Sequence, residues 1–148
     1  MTTWIDEHLA VSPMPSTYEL EELASTFTAV AVLVEDWELE YDPAQLQLLG
    51  VKVNHLPIPD FGIPHLAELQ ELVTWLLRET GDGNAALVHC VGGIGRSGMV
   101  AAAYLVARGV PVEDAIKHVK GLIRGALQRE EQVNMVRQFA HRSTEAKG

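Results

Sequence analysis

The residues best suited to chemistry lie in "ALVHCVGGIGRSGMV", residues 85–99, which holds the single cysteine of the chain, Cys90. Cys90 closes an apolar run and opens a glycine-rich turn, and Arg96 follows six residues later. A tight turn of glycines lets consecutive backbone N–H groups point inward, and a helix starting behind it adds the positive end of its dipole. The product is a nest for a tetrahedral oxyanion, which Arg96 can close with a bidentate fork onto two oxygens. The Cys90 sulfur then lies beneath the central atom, placed for nucleophilic attack. An ordinary thiol, with a pKa of about 8.5, is little ionised at neutral pH, and inward amides, a helix N-terminus and a guanidinium lower that value. The groups that hold the anion are therefore expected to ionise the nucleophile.

Other uses of the same glycines fit less well. Gly93, Gly95 and Gly98 satisfy G-x-G-x-x-G, the dinucleotide fingerprint. That site also needs a second strand ending in an acid about 20 residues further on. Here that distance falls inside "AIKHVKGLI", a helical pattern. A Walker loop requires lysine where Arg96 stands.

Positioning such a loop takes a strand before it and a helix behind it. "EHLAVS" (7–12), "TAVAVLVE" (28–35), "VKVNHLPI" (51–58) and "AALVHC" (85–90) read as strands buried on both faces. "SPMPSTYELEELAST" offers Ser16 and Glu19 as a capping box, and "PHLAELQELVTWLLRETG" spaces its leucines for one helical face, with Gly81 as a stop. "RSGMVAAAYLVARG" is apolar nearly all round and predicts a buried central helix, followed by "VEDAIKHVKGLI" and "EEQVNMVRQFAHR". Alternating strands and helices imply an α/β fold: a mainly parallel sheet of four to five strands with helices on both faces. Ligands in such sheets bind beyond the carboxyl ends of the strands, and Cys90 sits at one. "EDWELEYD" (35–42) follows the second strand and can border that edge; alternatively it is a solvated loop leading into a short helix from Pro43.

The 148 residues suit a single domain, 1–148, with a tail expected to fray from about residue 143. No apolar run reaches the ~20 residues of a membrane span, and the opening lacks signal-peptide zones, so a cytoplasmic location is expected. The net charge of −9 disfavours nucleic acid and anionic membranes as partners. One cysteine cannot form an internal disulfide, and no closely spaced Cys or His pair suggests a metal. No metal or cofactor is expected.

"HCVGGIGRSG" (89–98) resembles the H-C-x-x-G-x-G-R-[ST]-G loop of the cysteine-dependent protein tyrosine and dual-specificity phosphatases, and matches it at each fixed position. The resemblance implies that Cys90 forms a phosphocysteine and that Arg96 binds phosphate and stabilises the transition state. Val91, Gly92, Gly93, Ile94 and Gly95 would complete the phosphate loop. It further implies that the Ser97 hydroxyl bonds the sulfur and that His89 orients the loop.

Expelling an ester oxygen needs a proton donor, worth about 10²- to 10⁴-fold. Asp60, in "LPIPDFGIPHL", leaves the third strand thirty residues before Cys90, the separation the family keeps. Its Ile-Pro-Asp motif is closer to the dual-specificity branch, and Pro57, Pro59 and Pro64 restrict the loop, with Gly62 as the expected pivot. The alternative is that Asp60 caps a turn or the helix near Pro64, with Asp36 and Glu35 as reserve acids. "IRGALQREEQV" resembles the family's late R-P-G-A stretch, except that Arg124 replaces the proline. Gln132 would then position water, in competition with Gln128 or with a merely solvated helix face.

The implied activity is a protein phosphatase acting on phosphotyrosine, with phosphoserine and phosphothreonine also open. Phosphorylated proteins are the expected partners, and a monomer is favoured. The aromatic recognition loop of the tyrosine-specific members is missing, and positions 91–94 carry no lysine to favour inositol phosphates. The remaining alternatives are a phosphoinositide, nucleotide or small-molecule phosphatase, a sulfurtransferase or arsenate reductase, and a non-catalytic phosphoprotein-binding module. Adjacent Gly92 and Gly93 predict a mobile loop.

Overall fold

The four runs rich in Val, Leu and Ala do form strands, each shorter than its apolar run. In the computed structural model, which describes residues 2–147, they are β2 (Leu9–Ser12), β3 (Ala29–Val32), β4 (Lys52–His55) and β5 (Ala86–His89). A fifth strand, β1 (Thr3–Trp4), is two residues long and pairs antiparallel with β2. A pair of residues carries no period, which is why the sequence pattern does not announce it. The order is β1-β2-β5-β3-β4, with β2, β5, β3 and β4 parallel.

β5 is central, with His89 opposite Ser12 of β2 and Val32 of β3. Every residue of β2, β3 and β5 is buried. Successive side chains point to opposite faces, so both faces of the sheet centre are covered.

The helices are α1 (Leu20–Thr26), α2 (Pro43–Leu48), α3 (Leu66–Glu79), α4 (Gly95–Ala107), α5 (Val112–Leu122) and α6 (Glu130–Lys147). α1 follows a short 3-10 turn, Thr17–Glu19, closed by the expected capping box: the Ser16 N–H donates to Glu19 Oε1 at 3.0 Å. Asp42 caps α2 by accepting from the Ala44 N–H at 3.0 Å, with Pro43 in the first turn. α3 buries Leu69, Leu72, Val73 and Leu76. α4 is the buried central helix, enclosed from Arg96 to Leu105.

α4 has one notch. A Cβ at Gly98 would lie 2.9 Å from the Cβ of Ala126, so the turn between α5 and α6 sits directly on the helix there. Its Leu127 is held at φ 55, and its Gly125 at φ 91.

α6 runs on to Lys147, and within it the Ser143 hydroxyl donates back to the Phe139 carbonyl at 3.0 Å. One expectation changes. "EDWELEYD" is not simply a solvated loop: a 3-10 turn, Asp36–Glu38, turns Glu38 and Tyr41 inward before the expected helix from Pro43. Among the described residues no helix is long and apolar enough to cross a membrane.

Candidate active site

β5 delivers Cys90 to the carboxyl edge of the sheet, and the turn of residues 91–94 returns the chain into α4 at Gly95. Cys90 is 3% exposed, and its Sγ accepts the Gly93 N–H at 3.3 Å. That amide points inward because Gly93 adopts φ 73. A Cβ there would also meet the Ser12 and Pro13 backbone at 2.8 Å, so only glycine fits. The Met14 N–H donates to the Val91 carbonyl at 2.9 Å, which fastens the turn to the segment leaving β2.

His89 lies behind the loop, fully buried, with Nδ1 3.1 Å from the Cys90 carbonyl and Nε2 2.7 Å from the Tyr41 hydroxyl. Burial pushes its pKa down to about 4, and burial pushes the Tyr41 pKa up, so both are neutral at physiological pH. A carbonyl only accepts, so Nδ1 carries the proton and the Tyr41 O–H donates to Nε2. This chain of two bonds fixes the Cys90 peptide from behind.

Arg96, in the first turn of α4, is 3% exposed. Its Nη1 donates to Glu38 Oε1 at 2.8 Å and to the Ile58 carbonyl at 2.8 Å, and Nη2 donates to Glu38 Oε2 at 3.0 Å. Burial acts to lower its pKa, but the bond to Glu38 together with the fields of Cys90, Glu38 and Asp60 outweighs it and raises the pKa, so the guanidinium stays charged. Reciprocally, the bond from Arg96 holds Glu38 below the usual carboxylate range. The end of the guanidinium is thus occupied, and the remaining donors, Nε–H and the second N–H of Nη2, form one side-on fork. Two parallel donors on one edge match two oxygens of a phosphate.

Asp60 stands across from this fork. Its Oδ1 is 3.6 Å from Arg96 Nη2 and accepts the Phe61 N–H at 3.0 Å, so it both closes a turn and faces the cavity. Phe61 takes φ 61, and the Gly62 N–H donates to the Pro59 carbonyl at 2.7 Å. A Cβ on Gly62 would strike that carbonyl oxygen at 2.8 Å, so close approach demands this glycine. The reserve acids do not reach the cavity: Asp36 is exposed 3.7 Å from His55, and Glu35 accepts from the Trp37 indole.

One cavity of about 440 Å³ gathers Cys90, Arg96, Asp60 and the loop residues Val91, Gly92, Ile94 and Gly95, and is also lined by Gln128, Arg129 and Gln132. Gln132 is 1% exposed and therefore not on a solvated face; its amide donates to the Gly62 carbonyl at 3.4 Å. Gln128 is exposed at the mouth. The Ser97 hydroxyl is buried without a hydrogen-bond partner, so the bond to sulfur that the resemblance implies is not formed in this structure.

Sequence reasoning missed Glu38, Tyr41 and Arg129. Glu38 had a signal, since a buried arginine needs an anion and "EDWELEYD" lies on the same sheet edge. Tyr41 had only the general rule that a buried histidine needs polar partners. Arg129 stacks over the Phe61 ring at 5.2 Å, a contact between distant segments with no local mark.

The family model described as the Swiss Army Knife DSP-PTPase phosphatase domain (PTP-SAK) matches residues 2–148, and the chain belongs to that family. Among solved structures it is similar to Tk-PTP in its active form, with a TM-score of 0.91, 39% identity, and coverage of 95% of this chain and 97% of that one. Among curated relatives it is 33% identical over 98 residues to cyclin-dependent kinase inhibitor 3 of Rattus norvegicus, covering 63% of this chain and 45% of that protein. It is 33% identical over 92 residues to protein tyrosine phosphatase type IVA 3 of Bos taurus, covering 61% and 53%. The chain spans about half the length of these curated relatives.

Proposed function

We propose that this domain hydrolyses phosphate monoesters on proteins, with phosphotyrosine as the first substrate, by double displacement through Cys90. The observation that carries the reading is the free side-on fork of Arg96 opening into the cavity that holds both the Cys90 sulfur and the Asp60 carboxyl. The thiolate attacks phosphorus in line, forming the S–P bond as the P–O ester bond breaks, and Asp60 gives its proton to the departing oxygen. Asp60, now a carboxylate, takes a proton from a water that attacks the phosphocysteine. The S–P bond breaks and inorganic phosphate leaves. Throughout, the fork and the loop amides hold the equatorial oxygens.

Protein substrates are supported by the exposed apolar lip of Phe61, Val91 and Ile94, which suits an aromatic ring above the phosphate. Besides Arg96, Arg129 is the only cation among the described residues that lines the cavity, so one phosphate is accommodated better than several. Gln132 orients the water in this reading, which its position between the acid loop and the start of α4 supports.

The test is hydrolysis of matched phosphotyrosine, phosphothreonine and phosphoserine peptides in the presence of a chelator. Cys90→Ser is expected to abolish turnover, and Asp60→Ala to lower it about 10²- to 10⁴-fold on poor leaving groups. Substantial activity of Cys90→Ser on an aryl phosphate would overturn the mechanism.

A further inference from the structure

Residues 1–51 contain ten of the 20 acids and neither lysine nor arginine; the first cation of the chain is Lys52. The remainder carries ten acids and eleven cations, so the whole of the net charge of −9 originates in one third of the sequence. This segment is also where large apolar side chains stand in solvent: Tyr18 is 96% exposed, Leu48 87% and Trp37 77%.

The fold places Tyr18 and Leu48 in two neighbouring grooves, the first of which adjoins the cavity of Cys90. One groove, lined by Met14, Thr17, Tyr18 and Glu40, continues at Thr17 into a second, lined by Leu20, Glu21, Leu48 and Leu49. Met14 opens the first groove and is hydrogen-bonded to Val91, a residue of the catalytic cavity. Trp37 stands next to Glu38, the partner of Arg96, and its indole is pinned by a 2.8 Å bond to Glu35. A tryptophan fixed this way offers its face without first losing rotamer freedom. Glu21, Glu22 and Glu40 are exposed and pair with no cation among the described residues.

We infer that this face is a docking surface for a basic segment of a phosphoprotein, one that places lysine or arginine and an apolar side chain beside the phosphorylated residue. Unpaired carboxylates and an open indole both attract cations, and the grooves take the apolar side chain. An anionic lipid surface carries the wrong charge, as does nucleic acid. The inference rests on the phosphatase reading and specifies its substrate class. Its physical basis is that carboxylates near the mouth raise the encounter rate and affinity for a cationic peptide while repelling an acidic one.

The experiment compares kcat/KM for three phosphopeptides of identical core, flanked by Arg and Lys, by Ala, or by Glu, at low and high salt. An aryl phosphate reports the catalytic centre, and phosphoinositides in anionic vesicles form a further arm. The expected result is a preference for the basic peptide over the acidic one of about tenfold or more at low salt, carried by KM and collapsing as salt rises. The triple variant Glu21→Gln, Glu22→Gln, Glu40→Gln and, separately, Tyr18→Ala are expected to reduce that preference several-fold, with aryl phosphate turnover confirming that each variant is folded. Equal use of the three peptides, a preference for the acidic one or for vesicles, or a basic preference that survives the variants would overturn the docking surface while leaving the phosphatase reading intact. Failure to cleave the aryl phosphate and every phosphopeptide would overturn both.

Discussion

Replacing Glu38 by glutamine isolates what the buried ion pair does for Arg96. The two side chains are 6% and 3% exposed and joined by bonds of 2.8 and 3.0 Å. Glutamine keeps the volume and one acceptor, but turns an NH₂ toward a guanidinium N–H. One charge-assisted bond is lost, and the Arg96 charge is left with the Ile58 carbonyl and the Asp60 carboxyl at 3.6 Å. Removing one partner of a buried pair costs about 3–5 kcal/mol. Here the other edge of the guanidinium opens on a cavity that water enters, so the lower end, about 3 kcal/mol, is expected. For a domain of this size that lowers the melting temperature by on the order of 10 °C. Denaturant titration at neutral pH measures it, against Glu71→Gln on the exposed face of α3, expected to lie within about 0.5 kcal/mol of wild type. Saturating inorganic phosphate is expected to restore part of the loss, because the bound anion supplies the missing counter-charge. Turnover of an aryl phosphate is expected to fall about 10- to 100-fold as the fork loses its alignment. If Glu38→Gln unfolds with Glu71→Gln and keeps its turnover, Glu38 does not position Arg96 and the reasoning fails.

The two loop glycines are expected to separate: Gly93→Ala, forced to φ 73 against backbone at 2.8 Å, costs about 1–2 kcal/mol or more and most of the activity, whereas Gly92→Ala, with nothing nearer than 3.9 Å, is tolerated. Unfolding midpoints and turnover of both variants check this, and equal behaviour would refute the assigned geometry. His89, with its folded pKa lowered from 6.5 to about 4, binds a proton in the unfolded state before it does in the folded one. Stability is therefore present above about pH 6.5 and lost as pH falls toward 4, by about 3 kcal/mol from this group. A stability profile that stays as steep in His89→Gln would show that another group causes it. Gln132→Ala is expected to slow breakdown of the phosphocysteine, seen as a larger burst and a lower steady rate, while Gln128→Ala changes KM more than kcat. The reverse pattern would exchange their roles.

The legible part of this protein was the part whose chemistry is local in sequence. Cys90, the glycines and Arg96 fall within seven residues, and a turn between a strand and a helix needs all of them in that order. The parallel sheet was readable because β2, β3 and β5 are buried on both faces and so appear as unbroken apolar runs. What escaped were the partners supplied by other segments. Glu38 grips Arg96 from 58 residues away, and Tyr41 reaches His89 from 48. An exposed and a buried glutamate look alike in a sequence, and only the closing of the sheet edge told them apart. β1 was missed for a simpler reason, since two residues leave no periodic mark.

The contact between Gly98 and Ala126 also sets a dimension of the cavity that holds Cys90. Gln128, Arg129 and Gln132 follow from the turn that Ala126 seats on α4, so the width of the mouth is gauged by a missing methyl group facing away from any substrate. The lip residues Phe61, Val91, Ile94 and Gln128 stand in solvent and can be exchanged without disturbing the interior. The aperture between them cannot be widened or narrowed without reshaping the core. Redesign of such a domain therefore has two separate controls: the lip for what enters, and the helix notch for how large it can be.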